Sequence, residues 1–106
     1  MVRVLINTPR EVRAGEVFDV RILISHPMES GQRRDTLGLA IPRDIIRALS
    51  CHLAGELVFE AALYPAIAAN PYFAFPVLAR RSGDLVLRFT DDHGVEQVET
   101  VAITVL

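Results

Sequence analysis

The sequence predicts an all-β protein: an immunoglobulin-like β-sandwich of about seven antiparallel strands, forming one domain over residues 1–106. Three observations predict it. Apolar and polar residues alternate with period two in several short runs. Turn residues recur at roughly the 8–12 residue spacing of such sandwiches. The one Ala-rich stretch, Ala61 to Ala69, is interrupted by Pro65 and followed by Pro71, so it holds no more than a short helical turn.

The first strand covers Val2 to Ile6, ahead of Pro9. Val17 to Ile24 is the clearest: Phe18, Val20, Ile22 and Ile24 form one face and Val17, Asp19, Arg21 and Leu23 the other. Ile45 to Leu53 and Glu56 to Leu63 form a pair joined near Ala54-Gly55. Setting Leu49 and Cys51 toward the core opposite Leu57 and Phe59 favours a three-residue turn, Leu53-Ala54-Gly55, with Gly55 in the left-handed position. That register places His52 against Glu56 on the wet face. Tyr72 to Leu78 follows, and Pro76 assigns it to a sheet edge. Gly83-Asp84 then turns the chain into the strand of Leu85, Leu87 and Phe89. Asp91-Asp92-His93-Gly94 is a hairpin turn, and Val101, Ile103 and Val105 alternate in the last strand.

Composition narrows the function. With 51% hydrophobic and 23% charged residues and a net charge of −2, the chain has the make-up of a folded domain rather than a disordered one. Its 11 basic residues are all arginine and are interspersed with 13 acidic ones, which gives no patch for nucleic acid or anionic lipid. Apolar runs are too short to span a bilayer, and the N-terminus has no signal-peptide core. One cysteine supports neither an internal disulfide nor a cysteine-rich zinc site.

Catalytic chemistry finds no support. Cys51 shares a strand face with Leu49 and Leu53 while His52 points the opposite way, so the two cannot form a thiolate–imidazole dyad. His26, His52 and His93 show no metal-ligand spacing, and Asp91, Asp92 and Gly94 are explained by turn geometry. Ser25-His26 has no acidic partner that the sequence can nominate. No catalytic residue, metal ligand or cofactor is expected.

One segment breaks the strand rhythm. His26 to Pro42 carries Pro27, Gly31, Gly38, Pro42 and the charged Arg33, Arg34 and Asp35, with an exposed-looking Met28. Loops this long in small domains are usually functional or conceal an irregular hairpin. Met28, Arg33, Arg34, Tyr72 and Phe73 are residue types enriched at protein interfaces, although Phe73 and Phe75 fit a core equally well.

The run Ile24-Ser25-His26-Pro27-Met28-Glu29-Ser30-Gly31-Gln32-Arg33-Arg34-Asp35, followed by Gly38, Ile41-Pro42-Arg43 and Ile45-Ile46, resembles the signature of the SoxZ family. Asn70-Pro71-Tyr72-Phe73 and Asp92-His93-Gly94 fall where that family has its Asn-Pro-Tyr motif and final hairpin. Ala54-Gly55 departs from the more usual Asn-Gly. The resemblance runs from about Val2 to the C-terminus. It implies an immunoglobulin-like subunit that pairs with SoxY as a heterodimer and, through it, meets other Sox enzymes. SoxY bears the reactive cysteine in a Gly-Gly-Cys-Gly-Gly tail that carries thiosulfate-derived sulfur. This chain ends in the strand Val101–Leu106 without such a tail, which places the carrier chemistry on the partner. The resemblance also implies a periplasmic or extracytoplasmic location, reached by export with a signal-bearing SoxY.

On this reading His26, Met28, Glu29, Arg33, Arg34, Asn70, Tyr72 and Phe73 face the partner or shape the facing loop. Met28, Tyr72 and Phe73 would be apolar anchors; Glu29, Arg33 and Arg34 would be orienting charges. Two alternatives stand beside it: an immunoglobulin-like interaction or adhesion domain with a different partner, and a small enzyme or redox protein using Cys51. Edge strands also allow the isolated chain to form a homodimer.

Overall fold

The computed structural model describes residues 2–65 and 67–106. Eight strands follow in order: β1 (Val4–Asn7), β2 (Glu11–Val12), β3 (Val17–Ile24), β4 (Ile46–Leu53), β5 (Glu56–Ala62), β6 (Tyr72–Leu78), β7 (Gly83–Asp91) and β8 (Glu96–Val105). They form two sheets, of order β1-β3-β6 and β2-β8-β7-β4-β5. Every neighbouring pair is antiparallel except β2 with β8. The all-β sandwich expected from the sequence is the observed fold.

The period-two pattern explains the packing. Phe18, Val20, Ile22 and Ile24 are buried along β3, and the residues between them are exposed. Phe75 and Val77 of β6 extend that inner face. The opposing sheet contributes Leu49, Cys51 and Leu53 from β4 and Leu85, Leu87 and Phe89 from β7. Phe59 of β5 stacks on Phe75 with ring centroids 4.2 Å apart, so aromatic contact ties the two sheets together on that side. Pro76 lies on an edge strand, where its missing N–H costs no ladder bond.

Three expectations need correction. The chain contains an additional strand, β2: after Pro9 it leaves the first sheet and pairs Glu11 with Thr104 in the second. The β4–β5 connection is a two-residue loop, with Ala54 at φ 50° and Gly55 at φ 82°. Two successive residues at positive φ match the turn that suits the twist of a hairpin. His52 therefore pairs with Leu57 rather than Glu56, and a bulge between His52 and Cys51 sets Cys51 opposite Phe59. Gly83 and Asp84 belong to β7 itself, where Gly83 pairs with Ile103. A Cβ on Gly83 would lie 2.7 Å from the Ala54 Cβ and 2.9 Å from its Cα, so a side chain does not fit there.

Candidate functional site

The long β3–β4 segment is an irregular hairpin. Glu29 and Asp44 exchange backbone hydrogen bonds at its root, with N–O distances of 2.8 and 2.9 Å. Farther out, Arg34 bridges to Ala40, and the Ile41 N–H donates to the Arg33 carbonyl at 2.8 Å. At the tip the Asp35 Oδ1 accepts from the Leu37 and Leu39 N–H groups at 2.9 and 3.0 Å. This cap reinforces a sharp reversal that backbone bonds also close, from the Asp35 N–H to the Leu39 carbonyl and from the Gly38 N–H to the Asp35 carbonyl. Residues 31–40 are all exposed, including Leu37 and Leu39 at 82% and 63%.

Inside the root, His26 is 4% exposed, and its Nδ1 accepts from the Met28 N–H at 3.0 Å. Met28 takes a positive φ of 49°, which turns its side chain inward. It is only 5% exposed, and its Sδ accepts from the Ile46 N–H at 3.3 Å. The expectation of an exposed Met28 is thus corrected: the residue plugs the base of the hairpin. Asn70 closes the root from the β5–β6 loop, with its Oδ1 accepting from the His26 N–H and its own N–H donating to the His26 carbonyl.

Two hydrogen-bonded ion pairs hold the hairpin and its root, and Arg47 Nε lies 3.7 Å from the Asp92 Oδ1 beside the second. Arg33 reaches both carboxylate oxygens of Glu29 from the exposed side of the hairpin. Its hydrogen bond holds the Glu29 carboxyl below the usual range. Arg43 grips Asp92 through Nε and Nη2 at 2.8 and 2.9 Å, while the Ile45 N–H adds a third bond to the same carboxylate. These contacts, led by the Arg43 hydrogen bond, lower the Asp92 pKa to about 2. Arg43 and Asp92 thereby lock the hairpin root to the β7–β8 turn. Sequence reading missed this pair, because the two residues lie 49 positions apart.

The same root gathers His26, Asp44 and Asp91, with candidate ligand atoms within 4.8 Å of one another. His93 Nε2 also comes within 3.4 Å of the Asp44 Oδ1. His26 does not suit a metal there. Its Nδ1 already accepts the Met28 N–H, so the ring proton lies on Nε2, which faces Asp44 at 3.7 Å. Asp91 serves the turn, its Oδ1 accepting from the His93 and Val95 N–H groups at 2.9 and 3.1 Å. The cluster has the geometry of a turn and a buried imidazole.

Among the remaining candidates, Arg34 is exposed and donates to the Gly38 carbonyl at 2.8 Å. Tyr72 and Phe73 are consecutive strand residues and face opposite ways: Tyr72 is 59% exposed on the outer face, whereas Phe73 turns in toward Phe59. His26, Met28 and Asn70 therefore act together at the root, Glu29, Arg33 and Arg34 lie along the hairpin, and Tyr72 stands apart on the β1-β3-β6 sheet. Leu37 and Leu39 were not anticipated as surface features, although leucines flanking a turn glycine are a readable signal. Cys51 is fully buried, and desolvation pushes its thiol pKa up to about 12, which leaves no nucleophile at neutral pH.

Comparison with known proteins follows the same lines. Compared by sequence with curated proteins, the chain finds no significant match. By structure it is similar to a superoxide reductase (neelaredoxin) from Ignicoccus hospitalis, with TM-score 0.74 and 20% identity over 99% of this chain and 82% of that one. It is also similar to the sulfur carrier protein SoxY from Chlorobium limicola f. thiosulfatophilum, with TM-score 0.68 and 13% identity over 97% of this chain and 78% of that one. At these identities the likeness concerns the fold. The sulphur oxidation protein SoxZ family matches residues 6–102, which takes in the hairpin, its root and the Asn70 loop. With nearly the whole chain matched, the protein belongs to the SoxZ family and has a role in the Sox system of sulfur oxidation.

Proposed function

We propose that this chain is the non-carrier subunit of a sulfur carrier complex, a scaffold that pairs with a SoxY-type subunit and positions its cysteine-bearing arm. The SoxZ family match over residues 6–102 carries the reading. The site supports it: an ordered hairpin with ten consecutive exposed residues is anchored by a buried histidine, a buried methionine and two ion pairs. Such an arrangement suits a surface presented to a partner, and in this reading the bond-making chemistry lies on the SoxY-type subunit. Glu29, Arg33 and Arg34 supply orienting charges, and Tyr72 an apolar contact. His26, Met28 and Asn70 hold the hairpin in shape. The chain works outside the cytoplasm in this proposal, carried there by a signal-bearing partner.

The test is co-expression with a SoxY-type protein, followed by size-exclusion chromatography and intact mass after exposure to thiosulfate. A one-to-one complex with the adduct on the partner's tail cysteine is expected. Separate elution, or an adduct on Cys51, would sink the proposal.

A further inference from the structure

The β1-β3-β6 sheet buries one face and leaves the other bare. Outward along β3 stand Val17, Asp19, Arg21 and Leu23. The register widens each into a row across the sheet: Leu23 lies between Leu5 and Tyr72, and Arg21 between Asn7 and Ala74. Asp19 lies beside Pro76, and Val17 beside Leu78. The rows therefore read apolar, basic, acidic, apolar. The end rows are strongly exposed, with Leu5 at 58%, Tyr72 at 59% and Val17 at 65%. Neither Asp19 nor Arg21 has an ion-pair partner among the described residues.

That order is complementary to itself. A two-fold axis in the plane of contact, crossing the strands at Val20, lays β3 antiparallel over β3 of a copy. Leu23 then covers Val17, Tyr72 covers Leu78, and Arg21 meets Asp19, each of them twice. Only this register satisfies the charges. A shift that centres the axis on residue 19 or 21 sets Asp19 on Asp19 or Arg21 on Arg21, and like charges directly opposite are unfavourable. We infer that this face is the docking surface for a second copy of the same chain, forming a symmetric face-to-face dimer distinct from any pairing of sheet edges. An isologous interface of this kind closes on itself and does not polymerise.

The size of the patch sets the strength. β3 and β6 run side by side for seven residues and β1 for four; at about 4.8 Å between strands and about 3.3 Å per residue the footprint is at most roughly 14 by 23 Å. That is small against the roughly 1,200–2,000 Å² of a stable specific interface, so the dimer is weak and dissociates on dilution. The inference stands on the sheet face alone, and because Tyr72 is also a proposed contact to SoxY, the dimer is a state of the chain without that partner.

The experiment is sedimentation equilibrium on the full chain alone, from low micromolar to several hundred micromolar. A reversible monomer–dimer equilibrium is expected. Arg21→Glu and Asp19→Arg, each alone, weaken it at least tenfold, and the double variant Arg21→Glu/Asp19→Arg restores it to within a few fold. Circular dichroism confirms that the variants fold, as exposed positions allow. A chain that stays monomeric throughout overturns the inference. So does a dimer that neither reversal weakens, or one that the double variant fails to restore.

Discussion

Asn70 and His26 hold each other by two hydrogen bonds: the Asn70 Oδ1 accepts from the His26 N–H at 3.1 Å, and the Asn70 N–H donates to the His26 carbonyl at 2.8 Å. Asn70 manages this at a φ of 52°, a conformation that asparagine tolerates better than most residues. The motif Asn70-Pro71-Tyr72 is thus a structural clamp on the hairpin root. Asn70→Ala removes the acceptor and keeps the strained φ, which destabilises the fold by about 1–3 kcal/mol. Asn70→Gly relieves the φ and loses only the hydrogen bond, so urea denaturation should place it between Ala and wild type.

The Arg43–Asp92 pair makes stability depend on acid pH. Asp92 titrates near 3.8 when unperturbed and near 2 in the folded protein. Its contribution is therefore complete above the unfolded value and fades as pH falls through the folded one. Tm of Asp92→Asn should lie below wild type at neutral pH, and the gap should close between about pH 4 and pH 2. A gap that does not change across that window would contradict the assignment.

Cys51 should resist a thiol reagent in the native state and react at once in denaturant. Its burial and raised pKa both point that way. Cys51→Ser replaces a small apolar group with a hydroxyl lacking a partner, costing about 1–3 kcal/mol. Native modification as fast as unfolded would return Cys51 to candidacy as a redox group.

Gly83→Ala should be destabilised well beyond the ordinary cost of a surface change. Its new Cβ meets backbone and side chain of Ala54, neither of which can swing away. Pairing it with Ala54→Gly should recover part of the loss, since one of the two close contacts disappears. Thermal melts of the four members of the cycle measure this coupling.

For the hairpin, Arg33→Glu with Arg34→Glu reverses two exposed charges and leaves Glu29 without its partner. Affinity for a SoxY-type subunit should fall at least tenfold, about 1.4 kcal/mol. Unchanged affinity by titration calorimetry would remove the hairpin from the interface.

The sequence was most legible where one face is dry and the other wet. β3 reads straight off its alternation, because each of its residues has a single environment. The β4–β5 loop could not be resolved in that way. A three-residue loop and a two-residue loop followed by a one-residue bulge leave Cys51 facing the same odd-numbered side chains, so parity cannot separate them. β2 is too short to show any period. Met28 reads as exposed because it sits between Pro27 and Glu29 in a loop-like run; its burial depends on a positive φ and on Ile46, 18 positions away. At the site, family resemblance picked out His26, Asn70 and the hairpin arginines, and the geometry divides them into those that build the hairpin and those it displays. Asp44 and Asp92 stayed hidden because their partners meet them only after folding.

The parallel pairing of Glu11 with Thr104 has a consequence for the order of assembly. Chains are synthesised from the N-terminus, so β2 is made long before the strand it will lie against. Until β8 is in place, the first dozen residues can settle only as far as β1 against β3. Closure of the larger sheet at that edge therefore cannot precede the synthesis of β8.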